Sequence, residues 1–232
     1  MKYWFVVPAA GIGKRFGGDI PKQYLRLNGK TIVEHTLEKL LSLNPAGVVV
    51  ALHSNDTAWR QLKVFKHGAV HPVEGGEERA DSVLNALNYL RGKLDDRDWV
   101  LVHDVARPCV QPADIEKLVT AAGTSEVGGI LAAPVSDTLK QADSQNRIEK
   151  TRDRQQLWAA MTPQMFPYRL LLDALTAARR QNIQVTDEAM AVELAGFRPI
   201  LVAGSRDNIK VTQGEDLAIA ETIIRWQENH EL

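Results

Sequence analysis

The chain has 232 residues, 44% of them hydrophobic and 25% charged, with 28 basic residues against 29 acidic. A net charge of −1 offers no global attraction to nucleic acid or to an anionic membrane, so a basic site has to be local. The lone cysteine, Cys109, excludes an internal disulfide framework and a thiolate zinc cluster and points to a reducing cytoplasm. No apolar run approaches the roughly 20 residues that span a bilayer.

Lys2 and the apolar run Tyr3-Trp-Phe-Val-Val7 briefly imitate a signal peptide, but Pro8 and Gly11 cut the run to about half an ordinary hydrophobic region. It reads as a strand buried on both faces. A glycine-rich basic loop follows from residue 11 to about 22. Thr31-Ile-Val-Glu34 has capping-box spacing, and Val33, Leu37, Leu40 and Leu41 give the helix behind it one apolar face. Residues 48–52 are a second buried strand, and a helix is expected from near Asp56. A short strand at 69–73 leads into Glu74-Gly-Gly76. Val83, Leu84, Leu87 and Leu90 form another helical stripe, and Trp99-Val-Leu-Val102 is a strand ending at His103-Asp104. A helix at 112–122 and a strand at 130–135 continue the alternation. Buried strands alternating with helices imply a parallel sheet with right-handed crossovers, whose ligands bind beyond the carboxyl ends of the strands.

Residues 136–156 break the rhythm with a polar strand–turn–strand pattern. An isolated hairpin is marginal in water, so this arm is expected to lean on a partner subunit. Helices at about 167–181, 187–195 and 214–228 and a strand at 200–202 complete the chain; no element is assigned to 157–166. One domain, 1–232, with a projecting arm is expected.

Pro8-Ala-Ala-Gly-Ile-Gly-Lys-Arg-Phe-Gly-Gly-Asp-Ile-Pro-Lys22-Gln is the strongest chemical signal. Glycines let backbone N–H groups approach a phosphate, and Lys14, Arg15 and Lys22 bring charge for a polyphosphate. A dinucleotide fingerprint needs a small residue where Phe16 stands and a helix directly behind the loop, which Pro21 and the extra glycines prevent. The Gly-x4-Gly-Lys-Ser/Thr loop is absent.

This loop, together with Gly75-Gly-Glu-Glu-Arg-Ala-Asp-Ser82, Val102-His-Asp-Val-Ala-Arg-Pro108, Ala133-Pro-Val-Ser-Asp-Thr138, Thr162-Pro-Gln164, Thr186-Asp-Glu-Ala189 and Asp207-Asn-Ile-Lys-Val-Thr212, resembles the 2-C-methyl-D-erythritol 4-phosphate cytidylyltransferases of the non-mevalonate isoprenoid route. The match runs over nearly the whole chain in order. Val105, where the family commonly has alanine, is a small apolar departure. The resemblance implies a Rossmann-like nucleotidyltransferase fold of class α/β, a Mg²⁺-dependent homodimer, and attack of an acceptor phosphate on the α-phosphorus of CTP. Arg15 and Lys22 would hold the triphosphate, while Arg154, on the partner's arm, and Lys210 would position the acceptor phosphate. Ala9, Ala10, Gly11, Gly76, Glu77, Arg79 and Ser82 would read the base, largely through backbone groups. Ala106 and Arg107 complete the substrate-binding set beside Asp104, which would take a substrate hydroxyl or hydrated Mg²⁺. Thr138, Thr162 and Thr186 would contact the acceptor. Asp81 is read as a helix cap, His103 as a core or supporting histidine, Cys109 as buried, and Trp99 and Trp158 as packing residues. A cytidylyltransferase of the same fold acting on ribitol 5-phosphate stays open, because the discriminating contacts fall in the arm and around Thr186. A nucleotide-binding regulatory protein has no need of the set Arg15, Lys22, Asp104, Arg154 and Lys210.

Overall fold

The computed structural model describes residues 1–11 and 20–230; Arg15 and Lys14 lie outside them. Strand β1 (Tyr3–Ala9) is followed by a small hairpin of β2 (Arg26–Leu27) and β3 (Lys30–Thr31). Asn28 and Gly29 both take positive φ there (45° and 86°), which an Asn-Gly pair adopts at little cost. Helix α1 (Ile32–Leu41) starts at the expected capping box: the Thr31 side chain accepts from the Glu34 amide, and the Glu34 carboxylate accepts from the Thr31 amide. The chain continues through β4 (Gly47–Leu52), β5 (Val70–Glu74), α2 (Arg79–Tyr89), β6 (Trp99–Val102), α3 (Pro112–Ala122) and β7 (Gly129–Pro134). The arm is β8 (Leu139–Ala142) and β9 (Ile148–Arg152). Then come β10 (Trp158–Pro167), α4 (Tyr168–Arg180), α5 (Glu188–Leu194), β11 (Ile200–Ala203) and α6 (Gly214–His230).

Seven strands form one sheet in the order β11-β7-β10-β6-β1-β4-β5. β1 pairs in parallel with β4 and β6, β4 with β5, and β11 with β7, while β10 runs antiparallel to both its neighbours. Side-chain alternation along β1 separates two apolar layers. Trp4 and Val6 pack with Leu84, Leu87, Leu171 and Leu175 of α2 and α4, and Phe5 and Val7 with Val33, Leu37, Ile115 and Leu118 of α1 and α3. A third cluster seats α6, through Ala220 and Ile224, on Leu27, Ile32, Val211 and the buried Cys109. The fold is the expected α/β architecture, a mostly parallel sheet with helices on both faces and a hairpin arm.

Three sequence expectations are corrected. No α-helix begins near Asp56; the segment holds two 3₁₀ turns, Ala58–Gln61 and Lys63–Lys66, divided by Leu62 in extended conformation. Asp56 diverts the backbone by accepting the Ala58 amide with its carboxylate and the Trp59 indole N–H with its carbonyl. The stretch left without an element is β10, a ten-residue interior strand of the sheet between β7 and β6. Pro163 and Pro167 argue against a central strand in sequence. They are accommodated because the pairing with β7 shifts between Ala160 and Gln164, and Pro167 closes the strand. Trp158, expected to pack, sits at the exposed arm-proximal end of β10 at 37% exposure. Trp99 is partly buried against the core as expected.

The arm forms its own two-stranded sheet, and every residue of β9 is exposed, with Leu139 and Ile148 uncovered.

Candidate active site

β1 lies where the chain order reverses: β4 and β5 are added on one side of it, and β6 on the other. The carboxyl ends of β1 and β6 therefore flank a crevice. Pro8, Ala9, Ala10 and Gly11 line one wall, and Asp104, Val105 and Ala106 another. Gly76 to Arg79 with Ser82, and Lys22, Gln23 and Lys210, complete the described lining. Gly75 allows the walls to meet, since a Cβ there would stand 2.5 Å from the Ala10 methyl. Ser82 Oγ accepts the Gly76 amide at 3.0 Å and pins that turn to the first turns of α2.

Asp104, 6% exposed, is the electrostatic centre. Arg79 Nε donates to its Oδ1 at 2.8 Å, Lys210 Nζ meets Oδ2 at 2.7 Å, and Arg107 Nε lies 3.7 Å from Oδ2. Burial alone would raise the carboxyl pKa, but the charges of Arg79 and Lys210 outweigh it and hold Asp104 well below the usual carboxylate range. The other edge of Arg79 is taken by Glu188, whose oxygens accept Nη1 at 2.7 Å and Nη2 at 3.0 Å. Burial works against the charge on Arg79; Glu188 and Asp104 together more than offset it and raise the pKa above its ordinary value.

Behind Asp104, the Thr162 hydroxyl accepts the Asp104 amide and meets His103 Nδ1, and His103 Nε2 faces the Arg107 carbonyl at 3.2 Å. Burial lowers the His103 pKa to about 4, with Asp104 only partly opposing, so the ring is neutral near pH 7. A carbonyl needs a donor, so the proton sits on Nε2 and Nδ1 accepts from Thr162. Asn208 ties two further segments: its Nδ2 donates to the Thr162 carbonyl at 2.8 Å, and its own carbonyl accepts Arg107 Nη1 at 2.6 Å.

A family model described as 2-C-methyl-D-erythritol 4-phosphate cytidylyltransferase matches residues 4–226. The chain belongs to that family. A protein of that name from Vibrio vulnificus (strain CMCP6) is 53% identical over 218 residues, 93% of this chain and 92% of the relative. One from Haemophilus influenzae (strain PittEE) is 53% identical over 216 residues, 93% of each chain. The crystal structure of the Francisella tularensis 2-C-methyl-D-erythritol 4-phosphate cytidylyltransferase superposes with a TM-score of 0.83 at 38% identity, covering 96% of this chain and 100% of that one.

Of the residues singled out in this cytidylyltransferase sequence, Ala9, Ala10, Gly11, Lys22, Gly76, Glu77, Arg79, Ser82, Asp104, Ala106 and Lys210 line the one crevice. Arg107 reaches it through Asp104. Thr162 touches Asp104 from behind, with its hydroxyl engaged inward. Thr138 and Arg154 are exposed at the two roots of the arm, and Thr186 is exposed just ahead of α5. Asp81 does complete the helix cap, accepting the Glu78 amide from position N3 of α2. The Arg79 side chain crosses to Asp104 and Glu188, a role that the reading of its backbone groups did not include.

Three participants were missed. Glu188 follows Asp187 in the first turn of a helix, where an acidic residue needs no further explanation. Gln164 donates to Asp187 Oδ2 at 2.9 Å and accepts the Ala189 amide at 2.8 Å, from a strand that went unassigned. Gln23 donates to the Ala9 carbonyl at 3.0 Å and so joins the two ends of the phosphate loop. All three lie inside motifs that carry the resemblance, the Pro8–Gln23 loop, Thr162-Pro-Gln164 and Thr186-Asp-Glu-Ala189, but their residue types alone do not reveal these partners.

Proposed function

We propose that the chain transfers CMP from CTP to the phosphate of 2-C-methyl-D-erythritol 4-phosphate and releases pyrophosphate. Family membership carries the reaction, and the convergence of Arg79, Lys210 and Arg107 on Asp104 beside the glycine-edged crevice is the observation that supports it most directly. A phosphate monoester is mostly a dianion at pH 7, because its second pKa is about 6. The nucleophile therefore needs no general base. The neutral, internally bonded His103 fits that requirement as a support for Asp104 and Thr162.

The work of the site is to bring two anions together and to neutralise the charge that develops at phosphorus. Lys22, on the crevice wall, with Arg15 of the same loop, would hold the triphosphate. Lys210 would guide the acceptor phosphate, leaving Asp104 to accept a hydroxyl of the polyol. Cys109, pushed up to about 12 by burial, takes no part as a thiolate.

The donor set fits a Mg²⁺ that arrives with CTP. Among the described residues no cluster of three histidines, cysteines or carboxylates could cage a metal, and Mg²⁺ takes substrate phosphates, waters and few protein ligands. Either the polyol hydroxyl or a hydrated Mg²⁺ would take the lone pairs that Asp104 keeps beyond those given to Arg79 and Lys210. When bound, the ion would neutralise phosphate charge and draw electron density from phosphorus.

The arm supports a homodimer reading: its apolar Leu139 and Ile148 are uncovered and its root carries Arg154. Arg154 would complete the partner's acceptor site. Among the described residues no helix is long and apolar enough to cross a membrane, and a free buried cysteine suits a reducing cytoplasm. The deciding test is pyrophosphate release from CTP and Mg²⁺ with methylerythritol phosphate or ribitol 5-phosphate offered separately. Release with methylerythritol phosphate alone is expected; preference for ribitol phosphate would overturn the acceptor and keep the chemistry.

A further inference from the structure

We propose that Glu188 is a positioning residue for the transfer reaction, acting through Arg79 to fix Asp104 in the crevice. The proposal rests on the cytidylyltransferase reading above. Glu188 is fully buried. A buried carboxylate is costly unless charge and hydrogen bonds compensate it, and here one partner supplies both through a two-pronged contact at 2.7 and 3.0 Å. The planar guanidinium then has no freedom to turn, and its remaining Nε–H lies on Asp104 Oδ1 at 2.8 Å.

The chain positions of the three residues give the contact its consequence. Arg79 opens α2, directly behind the Gly76–Glu78 wall of the nucleotide crevice. Glu188 opens α5, two residues after Thr186, and Asp104 lies two residues beyond the end of β6. Gln164 of β10 holds the same α5 terminus by its bonds to Asp187 and Ala189. Glu188–Arg79–Asp104 is thus a rigid strut between the nucleotide wall and the segment that carries Thr186.

The charge balance agrees. Asp104 and Glu188 face Arg79, Arg107 and Lys210, which leaves one positive charge in excess, the sign an incoming phosphate needs. Without Glu188 the cations remain and anions still bind, but Arg79 can swing and Asp104 loses its fixed position. The defect should therefore fall on kcat rather than on KM for CTP, because misplacement by about 1 Å can cost on the order of 100-fold.

The test compares Glu188→Gln with the paired replacement Glu188→Met/Arg79→Met, measuring kcat, both KM values and the urea midpoint. Replacing a buried ion pair with apolar residues of similar volume commonly restores stability, and Asp104, which loses Arg79 in the double variant, keeps Lys210 at 2.7 Å, so this variant guards against a mere folding defect. The expected result is at least about a tenfold fall in kcat for both variants, KM for CTP within about threefold, and a double variant near wild type in urea. A double variant with wild-type stability and wild-type kcat would show the pair to be structural only and overturn the proposal. So would a Glu188→Gln enzyme with unchanged kcat. Failure of the wild-type protein to release pyrophosphate would instead overturn the cytidylyltransferase reading.

Discussion

The hydroxyl oxygen of Thr162 lies 3.0 Å from the backbone nitrogen of Asp104, joining the strand that runs against the sheet to the carboxylate at its switch point. The same hydroxyl contacts His103 Nδ1 at 3.1 Å, so one small side chain satisfies two buried groups. Replacing it with valine keeps the shape and leaves both unpaired. Thr162→Val is expected to lower the unfolding free energy by about 1–3 kcal/mol and to reduce kcat, whereas Thr162→Ser stays near wild type in both. Urea titration together with steady-state kinetics checks this; equal behaviour of the two variants would mean the hydroxyl is idle.

Acid should weaken the fold through His103 before it touches Asp104. The His103 pKa is lowered from 6.5 to about 4 in the folded chain, so the unfolded chain binds more protons between those values. Its contribution is full above pH 6.5 and is lost as pH falls toward 4, on the order of 3 kcal/mol. Asp104 is held below its unfolded value of 3.8, so its contribution is lost only as pH falls below that. Urea midpoints measured from pH 7 to pH 4 should fall steadily in the wild type and less in His103→Gln. A flat profile in the wild type would contradict the buried neutral imidazole.

Lys22 and Lys210 should separate kinetically. Lys22→Ala is expected to lower kcat by about 100-fold or more with a smaller rise in KM for CTP, as for a contact made chiefly in the transition state. Lys210→Gln removes the 2.7 Å contact to Asp104 Oδ2 and one cation facing the acceptor. Its signature is a raised KM for the acceptor phosphate with KM for CTP little changed. Identical kinetic patterns in the two variants would refute the division of labour.

The arm predicts complementation. The Arg154→Ala and Lys22→Ala proteins should each be nearly inactive. If Arg154 serves the partner's site, co-refolding equal amounts gives half heterodimers, each with one intact site, and about a quarter of wild-type activity returns. Activity no higher than the mean of the two parents would place Arg154 in its own chain's site or outside the site.

Most of the architecture is legible in the sequence because it rests on local patterns. Continuous apolar runs at Tyr3 to Val7 and Val48 to Leu52 can only be strands covered on both faces. The Thr31–Glu34 capping box fixes the start of α1 by two short-range hydrogen bonds. The glycines and cations between Pro8 and Lys22 suggest a polyphosphate loop before any fold is known. Where local cues conflict, the reading fails. Two prolines disguise β10, which is stable only because β6 and β7 flank it, and Asp56 replaces an α-helix with 3₁₀ turns through its own hydrogen bonds.

The sequence by itself, through the motifs that place the chain in its family, pointed to phosphate chemistry in these loops and named the cations proposed to serve it. Only the tertiary structure decided that Asp104 gathers Arg79, Lys210 and Arg107, that Thr162 and Asn208 brace it, and that Glu188 holds Arg79 from the far side. Arg79 and Glu188 are 109 residues apart and meet because β-strand order, rather than chain order, sets which carboxyl ends are neighbours. A motif records the residue types that chemistry requires. Pairing between distant charges is fixed by packing, since burial makes each one costly until its partner arrives.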